Sequence, residues 1–294
     1  MRAFDLAVAR DLPHLLDLLV DHPTARPVAG ATDFIPFVQA GKWRPDLAVD
    51  ITGIADLHHL RIAAGFLEIG PLVTHGELAG STLVRKHALA LAQAAESVAD
   101  LQIRGRATVG GNICTASPAA DTVPALLALD AEVVLTSRGG TRRLALESFL
   151  RGPGRTALGP GEILTGVRFP ILGPQAGSSF VKLGRRSAMA ISIVNAAAVI
   201  VLDSAGRLAA ARLALGSVAP TVVRCRAAEA ALAAGGGAVM ASVPAAFTAA
   251  ASLVTGTIRP IDDVRASAAY RIAVAPEIAR RALEGAWTAA GGRA

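Results

Sequence analysis

Leu12, Leu15, Leu16 and Leu19 recur at the spacing that stacks side chains on one helix face, so residues 1–22 are expected to give a short strand followed by an amphipathic helix. The stretch "RPVAGATDFIPFVQAGKWRPDLAVDI" reads as strand, glycine turn, short helix and second strand, a compact βαβ-like unit. "LRIAAGFLEIGPLVTHGEL" alternates apolar and polar positions, with Gly65 and Gly70 at turns, and predicts a meander. Ala88 to Ala99 is an alanine-rich helix. A small, nearly uncharged segment, "TVGGNICTASPAAD", follows it and opens a short helix at Asp121, where Asp121 is a plausible N-cap and Pro124 sits in the tolerated first turn. Strands are expected at Ala131–Thr136 and Ile163–Phe169, separated by the Gly/Pro-rich loop "RGPGRTALGPGEIL". The cluster "PILGPQAGS" marks the domain boundary. Beyond it, "SSFVKLG" and "ISIVNAAAVIVLDSAGRLAAARLALGSVA" predict antiparallel strands with a hairpin at Asp203–Gly206, and the remainder is helical. The sum is an α+β chain in two parts.

Composition narrows the class. The chain has 294 residues, 52% hydrophobic and only 4% aromatic, so its core is built from small aliphatic side chains. The formal net charge of +6 is scattered rather than striped between aromatics, which argues against nucleic-acid binding. The N-terminus carries Asp5 and Asp11, which break any apolar signal-peptide core. Ala230 to Ile258 contains no charged residue, but Gly235–Gly237, Pro244 and its Ala/Ser/Thr content predict two small helices around a glycine turn rather than a membrane span. No membrane insertion and a cytoplasmic location are expected. The two cysteines, Cys114 and Cys225, stand far apart, so neither an iron–sulfur cluster nor structural zinc is expected within the chain. His58 and His59 are neighbours, diverge on any regular element, and read as a solvated pair.

Two glycine turns carry the candidate chemistry, "AGATD" (Ala29 to Asp33) and "TVGGN" (Thr108 to Asn112). Glycine admits positive φ and lets a ligand approach the main chain, and successive N–H groups in such turns form an anion-binding concavity. Two such loops could hold a diphosphate between them without a lysine. Gly105 and Gly110 stand at Walker A spacing, but Gly111 and Asn112 follow where Lys and Ser/Thr are required, and no G-x-G-x-x-G occurs. By residue type alone, two turns without a ligand remain an open alternative.

"AGATDFIPFVQAG", "LQIRGRATVGGNICTASPAADTVPALLALDAEV" and "DDVRASAAYR", in that order across nearly the whole chain, resemble the FAD-binding subunit of the molybdenum hydroxylases. That family includes the medium subunit of aerobic carbon monoxide dehydrogenase and the flavin domain of xanthine dehydrogenase. The resemblance implies a two-lobed FAD-binding module of the vanillyl-alcohol-oxidase (PCMH) type over residues 1–173, with lobes of about 1–55 and 56–173. A C-terminal domain over 174–294, with a three-stranded antiparallel sheet and helices, would follow. Carried over position by position, Pro27, Val28, Ala29, Gly30, Ala31, Thr32, Asp33 and Phe34 would form the first FAD loop and Thr108, Val109, Gly110, Gly111 and Asn112 the second. Asp121 would contact the cofactor, and Leu164 and Lys182 would flank the flavin ring and its polar edge. By residue type alone, Lys182 could equally be a solvated strand lysine. Ala31 stands where the family usually has glycine and would bring a Cβ close to the phosphates. Gly111→Val is expected to abolish flavin binding, both by bulk and by disfavouring positive φ.

The implied function is electron transfer. A molybdopterin-binding large subunit would hydroxylate the organic substrate, a [2Fe-2S] small subunit would relay electrons, and this chain's FAD would pass them to an external acceptor, in a dimer of heterotrimers. The chain shows no metal ligands, paired carboxylates or Ser/His/Asp constellation of its own. It also lacks a cysteine-rich insertion, which excludes the family variant with an extra [4Fe-4S] cluster. Cys114 reads as small packing inside the cofactor loop. A self-contained flavoprotein oxidase or dehydrogenase of the same fold, and a flavin-free assembly subunit, are the rival readings.

Overall fold

The computed structural model describes residues 4–234 and 243–292. The expected turn at Gly235–Gly237 lies outside the described residues. The chain opens with β1 (Asp5–Val8), α1 (Leu12–Asp21), β2 (Arg26–Val28), α2 (Phe34–Gln39) and β3 (Leu47–Asp50). These strands form a parallel sheet of order β1-β3-β2, with Leu6 beside Ala48 and Pro27 beside Val49. The Asp11 carboxylate accepts from the His14 N–H at 2.8 Å and caps α1, whose Leu15, Leu16 and Leu19 are buried. A small core of Leu15, Val49, Ile51 and Ile54 fixes this first lobe.

The second lobe runs from β4 (Leu60–Ala63) and β5 (Phe66–Ile69) through α3 (His75–Gly80), α4 (Thr82–His87), α5 (Leu89–Glu96), α6 (Leu101–Arg104), α7 (Val109–Thr115) and α8 (Thr122–Ala128). It ends with β6 (Glu132–Ser137), β7 (Gly140–Ala145), α9 (Leu146–Phe149), the small hairpin β8 (Leu150–Gly152) and β9 (Arg155–Thr156), and β10 (Ile163–Pro170). The antiparallel sheet has order β4-β5-β10-β6-β7, so β10 returns to the centre and its inward residues, Leu164, Val167 and Phe169, reach the core. The segment read as a Gly/Pro loop holds the β8–β9 hairpin.

After residues 171–175 the chain forms β11 (Ala176–Leu183), β12 (Val194–Leu202), β13 (Leu208–Gly216) and β14 (Val223–Arg224), followed by α10 (Arg226–Ala234), α11 (Val243–Ser252) and α12 (Ala268–Ala289). The three expected long strands are present, and the two-residue β14 adds a short fourth edge. β12 explains why that segment is apolar at nearly every position. Ala197 and Val199 face the core of the second lobe, whereas Ala196, Ala198 and Ile200 face α12 and its neighbours, so both faces of the strand are buried. The C-terminal sheet is therefore a shared wall, and groups on it reach the second lobe.

Candidate functional site

The two glycine segments meet. A Cβ added to Gly30 would stand 1.8 Å from the Arg106 carbonyl oxygen, so only glycine lets the two backbones approach this closely. The Arg106 Nε donates to the Gly30 carbonyl at 3.3 Å and the Thr115 hydroxyl donates to the Asp33 carboxylate at 2.9 Å, which ties the first loop to α7. Between the segments lies a cleft of about 590 Å³, within the range that holds small-molecule cofactors. Pro27, Val28, Ala29, Gly30, Ala31, Thr32, Asp33 and Phe34 all line it. So do Thr108, Gly110, Gly111, Asn112 and Leu164, while Val109 is buried behind them.

The loops contribute in different ways. In the first, the peptide N–H groups of Gly30, Ala31, Thr32 and Asp33 have no protein acceptor among the described residues. Ala31 adopts φ = 62°, the left-handed conformation a glycine would take there, and its methyl group packs against the cluster of Phe34, Val38 and Ala48. The Ala31 Cβ is therefore partly absorbed by the protein. Four free donors around a left-handed residue are the backbone pattern from which anion-binding concavities are built.

"TVGGN" corrects the expectation of a second open loop. It is the N-cap and first turn of α7, and Gly111 is helical rather than at positive φ. Its amides are already engaged: Val109 N–H to the Val73 carbonyl at 2.9 Å, Gly110 N–H to Pro71 at 3.0 Å, and Gly111 N–H to the Thr108 hydroxyl at 3.1 Å. The glycines serve close approach instead. A Cβ on Gly110 would stand 2.4 Å from that of Pro71, whereas one on Gly111 would meet only the Thr108 hydroxyl oxygen, leaving that face open to the cleft.

Asp121 does not cap α8, which is the second correction. Its side chain makes no cap hydrogen bond and instead turns toward the C-terminal sheet. It pairs with the Lys182 ammonium at 2.6 Å and accepts from the Ser192 hydroxyl at 2.6 Å and the Asn195 amide at 2.9 Å. A distant partner outcompeted the local amide. Neither Asp121 nor Lys182 lines the cleft, yet both touch its wall at one remove. Lys182 donates to the Ser97 carbonyl at 2.9 Å, next to the lining residues Val98 and Ala99. Thr122 donates to the Asn112 side-chain oxygen at 2.9 Å.

Other lining residues are first identified by the structure. Glu162 lies at the edge, held by a two-point pair with Arg142 at 2.6 and 2.7 Å and by the Gly159 N–H, and its carboxyl is pulled below the usual range mainly by the Arg142 hydrogen bonds. His75 sits in the floor with both ring nitrogens buried and without partners, and burial depresses its pKa to about 4. The "THGE" string (Thr74 to Glu77) does signal the capping box that starts α3 there. Arg26 and Trp43 line the cleft as well. Cys114 also lines the cleft, and burial raises its thiol to about 12, so it stays protonated, in keeping with a packing role. His58 and His59 diverge, one to Glu77 and the other to the Asp56 carbonyl. Among the described residues no group of three metal-ligating side chains occurs, and no helix is long and apolar enough to cross a membrane.

The site fits FAD. Four unused amide donors suit a diphosphate, the glycine face at Gly111 leaves room, and apolar Leu164, Leu158 and Ile163 suit a flat ring.

Comparisons with known proteins agree with the geometry. The family described as "FAD binding domain in molybdopterin dehydrogenase" matches residues 2–172. The "CO dehydrogenase flavoprotein C-terminal domain" family matches residues 179–286. The chain is 34% identical over 293 residues to the xanthine dehydrogenase FAD-binding subunit of Escherichia coli O157:H7, covering 97% of this chain and 96% of that one. Among solved structures, it resembles a chain of carbon monoxide dehydrogenase from Hydrogenophaga pseudoflava with a TM-score of 0.91 at 29% identity, covering 98% of each. A chain of quinoline 2-oxidoreductase from Pseudomonas putida 86 gives a TM-score of 0.90 at 28% identity, covering 98% of each.

Proposed function

This chain belongs to the FAD-binding subunits of the molybdopterin dehydrogenases, and from that premise we propose that it is the electron-transfer subunit of a multi-subunit molybdenum hydroxylase. In this reading a [2Fe-2S] subunit delivers electrons and an external acceptor removes them, while the substrate is hydroxylated on a molybdopterin subunit. The observation that carries the proposal is the cleft between the two lobes, with four unused peptide donors on one side and a glycine face on the other.

FAD, when bound, supplies the ability to store two electrons between a one-electron donor and a different acceptor. The chain's own residues bind and orient it. Gly30 to Asp33 take up phosphate charge through their N–H groups, and Thr108 to Asn112 let the ligand lie against the start of α7. Leu164 packs against the ring. Asp121 and Lys182 act through the wall, fixing Ser97 to Ala99 and, by way of the neighbouring Thr122, Asn112. We further infer domain limits of 1–173 and 174–294, a dimer of heterotrimers, and a cytoplasmic location.

The test uses the isolated chain and the reconstituted three-subunit complex, each offered xanthine, nicotinate or carbon monoxide, the substrates named in relatives. The isolated chain should keep its flavin band with all three and lose it to dithionite, whereas the complex should bleach with its own substrate. Bleaching of the isolated chain by an organic substrate would promote a self-contained enzyme. A complex without yellow colour would promote an assembly subunit.

A further inference from the structure

The flavin reading leaves a charge unaccounted for. A diphosphate carries two negative charges, and four neutral N–H groups on one side of the cleft do not balance them. The first turn of α7 cannot make up the difference, because its amides already have acceptors. A cation would complete that neutral cradle, and among the described lining residues the cleft offers one, while Arg106, off the lining, already donates to the Gly30 carbonyl. Of the cleft's ionisable lining residues, Glu162 is neutralised by Arg142, Asp33 is an acid bound to Thr115, and His75 is held neutral by burial. Among the described lining residues Arg26 alone carries a fixed positive charge.

The setting of Arg26 is that of a binding group rather than a structural one. Among the described residues it has no carboxylate and no hydrogen-bond acceptor. Its guanidinium lies 4.3 Å from the centroid of the Trp43 ring, which covers one face and leaves the planar edge free. Trp43 in turn packs on Phe34, with ring centroids 6.1 Å apart, and Phe34 directly follows the donor run ending at Asp33. The stack therefore fixes the cation relative to the loop. Arg26 and Val28 share one face of β2, and Val28 joins the same aromatic cluster and lines the cleft.

We propose that Arg26, held by stacking on Trp43, is the cationic arm that binds the diphosphate of the flavin dinucleotide opposite the Gly30–Asp33 amides. The proposal rests on the flavin reading above and adds a residue to it. An indole-backed guanidinium gives two parallel donors to phosphate oxygens, which a lysine in the same place would not.

The experiment compares wild type, Arg26→Gln, Arg26→Lys and Trp43→Leu as apo full-length chains, titrated with FAD, ADP and adenosine. Arg26→Gln should weaken FAD and ADP by about 10- to 100-fold, as loss of charge-assisted bonds does, while leaving adenosine unchanged. Arg26→Lys should recover part of that loss, and Trp43→Leu should weaken FAD less than Arg26→Gln does. Thermal unfolding of each apo variant reports whether the fold is kept, which the exposure of Arg26 favours. If folded Arg26→Gln binds FAD and ADP like wild type, the proposal fails and the flavin reading stands. An equal loss on adenosine would assign Arg26 to the adenine and overturn the phosphate role. A wild-type chain that binds no FAD would overturn both.

Discussion

The Lys182 ammonium lies 2.6 Å from an Asp121 carboxylate oxygen, with only 12% and 9% of the two side chains exposed. The pair joins the start of α8 in the second lobe to β11 in the C-terminal sheet. Ser192 and Asn195 donate to the other Asp121 oxygen, so the carboxylate is held from both sides. It is a latch between the FAD-binding module and the domain that follows.

Breaking one side of such a pair strands a buried charge. Asp121→Asn should cost about 3–5 kcal/mol in urea unfolding, because Lys182 keeps its charge beside the Ser97 carbonyl. The Asp121→Leu/Lys182→Met double variant should lose clearly less than the sum of the two single changes. Additive losses would show that the two residues act independently.

Gly111 separates stability from binding. Because it is a helical residue in the first turn of α7, Gly111→Ala should raise apo stability by up to about 1 kcal/mol, provided the Thr108 hydroxyl, 3.1 Å from the new Cβ, yields slightly. The same methyl group faces the cleft and should weaken FAD severalfold, and Gly111→Val should remove it. Flavin content per chain after gel filtration, set beside the melting temperature, checks both. A Gly111→Val protein with full flavin would move the cofactor away from this turn.

Much of this was legible beforehand, for physical reasons. α1 announces itself because one face is apolar and its cap is local, and the strands around the Asp203–Gly206 turn do so because turn residues interrupt a long apolar run. The β7 segment "GTRRLA" is exposed at nearly every position and carries no buried stripe, and α6 is a single turn, so neither leaves a pattern to read. "TVGGN" reads as loop because two glycines disfavour helix by about 1 kcal/mol each. Tertiary bonds from Val109 and Gly110 to Val73 and Pro71 override that. Asp121 looks like an N-cap by type, and its true partners lie 61 to 74 positions away. Arg26 and Trp43 are 17 positions apart, and their stacking is visible only once α2 brings them together.

Ala31 tests the first loop. At φ = 62°, glycine relieves strain of about 1 kcal/mol but gives up the methyl group packed near Phe34, so Ala31→Gly should leave apo stability within about 1 kcal/mol and FAD affinity within about threefold. Ala31→Val places a β-branched residue in a conformation it strongly resists, so flavin should be lost. Equilibrium dialysis with FAD distinguishes the two. Equal binding by both would mean that the loop is not part of the site.

The last expectation concerns pH. His75 is fully buried, its ring nitrogens have no partners, and burial lowers its pKa from 6.5 to about 4. Between those values the unfolded chain binds a proton that the folded chain refuses. Stability of the apo protein should therefore be full above pH 6.5 and fall as the pH drops toward 4, by about 3 kcal/mol in all from this residue. Below pH 4 the folded state also takes the proton and this contribution stops changing. His75→Phe removes the titrating group while keeping an aromatic ring of similar size, so its stability should decline less steeply across that window. Urea midpoints measured every half pH unit from 4.0 to 7.5 give the two slopes. Parallel curves would mean that His75 becomes protonated as readily in the folded chain as in the unfolded one, and that water or a carboxylate reaches its ring.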